Sequence, residues 1–151
     1  MLFRSHAYPA IAVAERLRAI EGMELVYYGT EKGPERAVAD AARIPYRAVP
    51  ASQVRGRSPL RLATGLARLW QGTRVAAQWL AEDRPAAVFA TGGYAAAPVG
   101  RAARQAGIPL VVFLPDVHPG WAVRFLARYA TTVACSVEGS LAALQIGRAH
   151  V

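Results

Sequence analysis

The chain has 151 residues, 54% of them hydrophobic, with 18 Lys+Arg against 10 Asp+Glu and a net charge of +8. That length suits one domain with a core of its own, and nothing in the composition reads as disordered. No apolar run reaches the length that spans a bilayer, no secretory signal is recognisable, and a lone Cys135 excludes an internal disulfide and fits a reducing compartment. Every basic residue except Lys32 is arginine. This balance favours phosphates, nucleic acid or an anionic membrane surface, and it equally reflects a GC-rich coding sequence.

In chain order, residues 8–20 read as a helix, with Pro9 in the first turn where proline is tolerated. Residues 24–29 form a strand ending in glycine, 34–42 a second helix and 46–49 a short strand. A polar, basic loop follows over 51–58, containing Arg55-Gly56-Arg57. The longest helix covers 59–82 and is stopped by Arg84-Pro85. Strands are expected at 86–90, 109–114 and 131–135, and helices at 95–103, 120–128 and 138–144. Strands alternating with helices predict a Rossmann-like, doubly wound α/β fold with a parallel sheet. Such a sheet wants a strand ahead of the first helix, and residues 1–5 are too short to supply one with its loop. Residues 1–5 and 145–151 fit none of the patterns beside them and resemble translated adapter sequence. The domain is therefore expected to cover 6–144, with non-native ends.

Few groups offer chemistry. Thr91-Gly92-Gly93-Tyr94 stands between an apolar strand and a helix start. Helix N-termini leave N–H groups unpaired, and glycine lets an anion approach the main chain. The same tetrapeptide equally suits an ordinary βα turn. His6 precedes the first helix, where a general base or phosphate donor would face the ligand edge of an open sheet, or where a helix-flanking histidine would be incidental. Asp116 and His118 follow a strand toward the same edge. They either pair in a cleft or belong to a Pro-flanked turn with Asp116 capping the next helix. No histidine has metal-ligand spacing, and no Ser-His-Asp or P-loop signature appears, so neither metal nor cofactor is expected. On the long helix Leu62, Leu66, Leu69 and Trp70 recur at helical spacing, with Arg61, Arg68 and Arg74 on adjacent faces. That stripe suits anionic lipid headgroups, or a core face with a basic edge.

Several segments then fall in order with one family. His6-Ala7-Tyr8-Pro9-Ala10-Ile11-Ala12-Val13-Ala14 resembles the segment closing the first glycine loop of the MurG-type glycosyltransferases, family 28. Tyr28-Gly29-Thr30 resembles the family's second strand end, and Arg55-Gly56 its loop before the long helix. Thr91-Gly92-Gly93-Tyr94 with Pro98 resembles its second glycine loop. Gly107-Ile108-Pro109 and Phe125-Leu126-Ala127-Arg128 with Ala130-Thr131 continue the likeness. The similarity runs from His6 to Leu144.

The resemblance implies the N-terminal, acceptor-binding half of a two-domain GT-B enzyme, lacking its first strand. Such enzymes move N-acetylglucosamine from UDP-N-acetylglucosamine to lipid I, making lipid II for peptidoglycan. They work at the cytoplasmic face of the bacterial inner membrane, without a metal ion, by inverting displacement. It implies His6 as base, and Thr91, Gly92, Gly93 and Tyr94 around the acceptor diphosphate. The long-helix stripe would touch the anionic membrane, and UDP-N-acetylglucosamine would bind chiefly through a second domain, so this half alone should not turn over.

Two departures bear on the acceptor. The first glycine loop is replaced by Met1–Ser5. The family's His-Glu-Gln-Asn stretch stands here as Phe113-Leu114-Pro115-Asp116, which makes Asp116 and His118 alternative acceptor contacts. Two other readings stay open: a related transferase with a different lipid or small acceptor, and a non-catalytic module for nucleotide or anionic lipid. Nucleic acid rests on charge alone and is not expected as a partner.

Overall fold

The computed structural model describes residues 7–51, 59–137, 139–140 and 149–150, with the side chains of 59–62 and 149–150 outside that description. The elements are α1 (Ala7–Arg18), β1 (Tyr27–Thr30), α2 (Glu35–Ala41), β2 (Tyr46–Val49), α3 (Pro59–Asp83), β3 (Val88–Ala90), α4 (Ala96–Gln105), β4 (Leu110–Leu114), α5 (Trp121–Ala127), β5 (Thr132–Cys135) and β6 (Ala149–His150). Every strand pair is parallel. Helices pack on both faces: β1 lies between α2 and α4, and β2 between α2 and α3. The predicted doubly wound α/β fold is therefore the observed one.

Two features differ from the sequence reading. The strands form two sheets, β1-β2 and β3-β4-β5-β6, and among the described residues no strand joins β1 to β3. A doubly wound sheet carries a strand between those two positions, and the residues ahead of α1 lie outside the description. The second difference is β6, for which the pattern gave no sign. It pairs with Val133 and Ala134 along the otherwise open edge of β5, where unpaired peptide groups accept another strand. The helix expected over 138–144 lies largely outside the described residues.

One core serves both sheets. Val49 of β2 joins Val88, Leu110, Val112, Leu114, Leu126 and Val133 in a single buried cluster, and Tyr28 of β1 packs against it. The alternating burial of β4, with Leu110, Val112 and Leu114 inside, is the period-2 signature of a strand. Two glycines set how closely the helices approach. A Cβ on Gly72 of α3 would collide with the Pro50 carbonyl oxygen, and a Cβ on Gly100 of α4 would lie 2.5 Å from Leu126 Cδ2 of α5. α4 is thus clamped between α3 and α5, and Ala97, Pro98, Val99, Ala102 and Ala103 are buried in consequence.

The C-terminal end of α3 is tied to the small sheet. Asp83 accepts from Arg47 at 2.7 Å and from the Tyr28 hydroxyl at 2.5 Å, while Arg47 stacks 4.3 Å above Trp79, whose indole N–H donates to the Ala48 carbonyl. The helix then stops on Arg84, whose left-handed φ of 44° and N–H bond to Leu80 close the last turn before Pro85. The Arg47 guanidinium, and then the Tyr28 hydroxyl, hold the Asp83 carboxyl below the ordinary carboxylate range. A depressed folded-state pKa stabilises the fold fully above the unfolded value, about 3.9 for an aspartate, and is lost as pH falls through the folded value. Asp83→Asn should therefore lower the melting temperature at neutral pH, with the gap from the parent protein closing below about pH 4. A gap that is constant with pH would mean the carboxylate's charge contributes nothing.

Candidate functional site

Within each sheet the strands run parallel and so share a C-terminal edge, and Pro50 after β2 and Pro98 in the first turn of α4 both lie against Gly72, which brings the two edges together. There lie Thr30, Pro50, the Thr91–Tyr94 turn, the Pro115–Gly120 loop and Ser136. Neighbouring strands stand about 4.8 Å apart, so the turn after β3 and the loop after β4 are adjacent. Ala7, the first residue of α1, is buried.

The turn after β3 is built by its glycines. Gly92 has φ 108° and Gly93 φ 84°, conformations that L side chains rarely adopt. Thr91 is buried at the strand end, whereas Gly93 opens onto free space where a Cβ would project. α4 follows with Ala95 as N-cap and no side-chain cap. Pro98 sits in the first turn, where its missing N–H costs no helical bond. The result is main-chain N–H density and a positive dipole end at a glycine-lined opening, the arrangement that receives phosphate. Tyr94 stands at its rim, 38% exposed.

The wall on the β1 side is held by Glu35. One of its carboxylate oxygens accepts from the Thr30 N–H at 2.9 Å and the Thr30 hydroxyl at 2.7 Å, and the Tyr46 hydroxyl donates to the Thr30 carbonyl at 2.7 Å. Tyr46 crosses Gly29 so closely that a Cβ there would meet its hydroxyl. Tyr27 stacks on Tyr46 at 5.8 Å, and its phenol is pushed up to about 12 by burial and then by Glu35. These tyrosines are therefore neutral wall elements at physiological pH.

The other expected site residues divide. His6 lies outside the described residues, as do Arg55 and Arg57, and the side chains of Arg61 and Leu62 are likewise undescribed. Asp116 and His118 are both exposed, and no hydrogen bond or ion pair joins them. Asp116 does not cap α5 either. Its N-cap is Gly120, without a side-chain bond, and the loop is held instead by the buried Ser140, whose hydroxyl donates to the Asp116 carbonyl at 3.1 Å. The long-helix stripe splits. Leu66 and Trp70 are exposed, whereas Leu69 is 8% exposed and packs inward, which removes it from any surface role. Successive residues on a helix point about 100° apart, so Leu69 and Trp70 cannot share one face. Arg68 is exposed, and Arg74 stacks 4.8 Å above Trp70.

One surface feature went unread in the sequence: Trp121 and Phe125 of α5 and Tyr129 just beyond its end recur at four-residue spacing and form a ladder of ring contacts, the first stacked and the second edge-on. Their spacing was the available signal. Among the described residues no cluster of His, Cys, Asp and Glu could hold a metal ion, and no helix is long and apolar enough to cross a membrane.

Residues 4–135 match the glycosyltransferase family 28 N-terminal domain. A protein of Roseiflexus sp. (strain RS-1), named UDP-N-acetylglucosamine--N-acetylmuramyl-(pentapeptide) pyrophosphoryl-undecaprenol N-acetylglucosamine transferase, is 43% identical over 157 residues, covering 89% of this chain and 36% of that protein. The protein of the same name from Bacillus subtilis (strain 168) is 34% identical, covering 88% of this chain and 37% of its own length. The crystal structure of Acinetobacter baumannii MurG superimposes with a TM-score of 0.78 at 26% identity, over 90% of this chain and 39% of that one. The chain thus spans a little over a third of the relatives it matches. A parallel α/β layer with a glycine turn opening α4, matched from residue 4 to the end of β5, places the chain in glycosyltransferase family 28 as its N-terminal domain.

Proposed function

We propose that this domain binds the acceptor of a hexosyltransferase that moves N-acetylglucosamine from UDP-N-acetylglucosamine to a lipid-diphosphate-linked sugar, lipid I, giving lipid II for peptidoglycan. The names of its relatives support the substrates. The observation that carries the reading is the paired left-handed glycines, Gly92 and Gly93, leading into the uncapped start of α4. A diphosphate needs converging N–H donors and little side-chain bulk, and that turn supplies both. In the proposed reaction His6 takes the proton of the acceptor hydroxyl. The hydroxyl oxygen forms its bond to the anomeric carbon as the bond to UDP breaks, with inversion, and UDP leaves with the bonding pair. Donor binding belongs chiefly to a second domain. Asp116 and His118, exposed beside the turn, are acceptor contacts in this reading, and Thr91 and Tyr94 flank the diphosphate.

The protein acts at the cytoplasmic face of the membrane, peripherally. Leu66 and Trp70 are 53% and 56% exposed on α3, beside Arg68 and Arg74. Exposed apolar side chains ringed by arginine suit an anionic headgroup layer.

The test is Gly93→Ala in the full-length protein. No atom lies near the new methyl group, so the change acts through backbone conformation alone. A left-handed conformation costs an L residue about 1–2 kcal/mol, which predicts a roughly tenfold rise in acceptor KM with the donor KM unchanged. An unaltered acceptor KM would remove the turn from the diphosphate site.

A further inference from the structure

We propose that the aromatic ladder running from α5 past its C-terminal end, Trp121, Phe125 and Tyr129 with Arg124 and Arg128, is a second membrane-contact ridge that seats in the headgroup region of an anionic bilayer. This rests on the membrane reading of α3 and extends it to a surface on the other side of α4.

The ladder is prearranged. Trp121 and Phe125 stack at 5.4 Å with planes 12° apart, and Phe125 meets Tyr129 edge-on at 5.3 Å. Phe125 also packs against the core, so it anchors the two outer rings. Trp121 nevertheless leaves 49% of its surface in water and Tyr129 39%. Rings held rigid but uncovered lose little entropy on contact, and contiguous exposed aromatics mark an interaction surface.

Charge identifies the occupant. α3, α4 and α5 lie side by side in that order. This layer carries Arg68, Arg74, Arg101, Arg104, Arg124 and Arg128, and its acids, Glu82 and Asp83, are confined to the far end of α3, where both pair with Arg47. The opposite layer is balanced: Glu15, Glu35 and Asp40 stand against Arg16, Arg18 and Arg36. A surface of arginine with Trp and Tyr, with no carboxylate on α4 or α5, matches the interfacial zone of an anionic membrane, where amphipathic rings and basic side chains concentrate. The two ridges flank α4, and in the proposed orientation one flat bilayer meets both. That orientation sets the C-terminal edge of the sheets, where α4 and α5 begin, close to the headgroups that carry the lipid acceptor.

Flotation of the full-length protein on vesicles of equal phosphatidylglycerol and phosphatidylcholine tests this. Trp121→Ser with Tyr129→Ser is expected to lower bound protein about tenfold, and the exposed Arg128→Gln about fivefold. Leu66→Ser with Trp70→Ser is the comparison for the α3 ridge. Loss with the α3 pair but not with the ladder variants overturns the ladder and leaves the α3 reading standing. Absence of flotation by the unmodified protein overturns both. If the double ladder variant melts abnormally, Arg128→Gln decides: unchanged flotation then rejects the ridge.

Discussion

Replacing His6 by alanine in the full-length protein is expected to lower transfer of N-acetylglucosamine by about 10²–10⁴-fold, the range over which a positioned general base contributes. The melting temperature should stay within a degree or two. His6 is the base of the proposed reaction, and it stands immediately ahead of α1, whose first residue, Ala7, is buried. A neutral imidazole placed beside the acceptor hydroxyl can take its proton. His6→Gln keeps a polar side chain but no base, so it should be nearly as slow as alanine. Turnover within twofold of the parent in either variant removes the base role, and a fall in melting temperature would point to structure instead.

Gly72→Ala is expected to destabilise the fold by about 2–3 kcal/mol, lowering the melting temperature by roughly 5–10 °C. The sign is informative, because helix propensity alone predicts the opposite: alanine in a helix interior is favoured over glycine by about 1 kcal/mol. Gly72 lies inside the 25-residue α3, yet a methyl group there would drive into the Pro50 carbonyl oxygen at the end of β2, with the Pro98 Cβ of α4 behind it at 3.1 Å. A backbone oxygen cannot swing aside. Gly100→Ala should cost less, because its obstacle is a Leu126 methyl that can change rotamer. A stabilised Gly72→Ala protein would mean that α3 does not approach β2 and α4 this closely.

Much of this architecture was legible as pattern. Strand–helix alternation predicted the parallel α/β fold, and the apolar run ending in Gly-Gly located both β3 and the start of α4 to within two residues. What escaped depended on partners distant in sequence. The sequence pattern leaves the sheet short of the strand expected ahead of α1, but which of the remaining strands then pair, with β1-β2 apart from β3-β4-β5-β6, depends on neighbours distant in the chain. Helical spacing grouped Leu69 with Trp70, but only the packing of α3 on α4 turns the first inward and leaves the second in water. Asp116 and His118 looked like a pair because they are close in sequence. In the fold both side chains face solvent, and the loop is fixed instead by Ser140, 24 residues further on. The α5 ladder was readable from its spacing, but whether its rings were core or surface was not.

Hydrogen exchange of the full-length protein, with and without a lipid I analogue and in the absence of UDP-N-acetylglucosamine, addresses the diphosphate site most directly. Bound diphosphate should slow exchange at the amides of residues 92–97, where the glycine turn enters α4, with smaller changes in the Pro115–Gly120 loop and none at α2. Saturating analogue that protects other segments while residues 92–97 exchange as in the free protein would contradict the account.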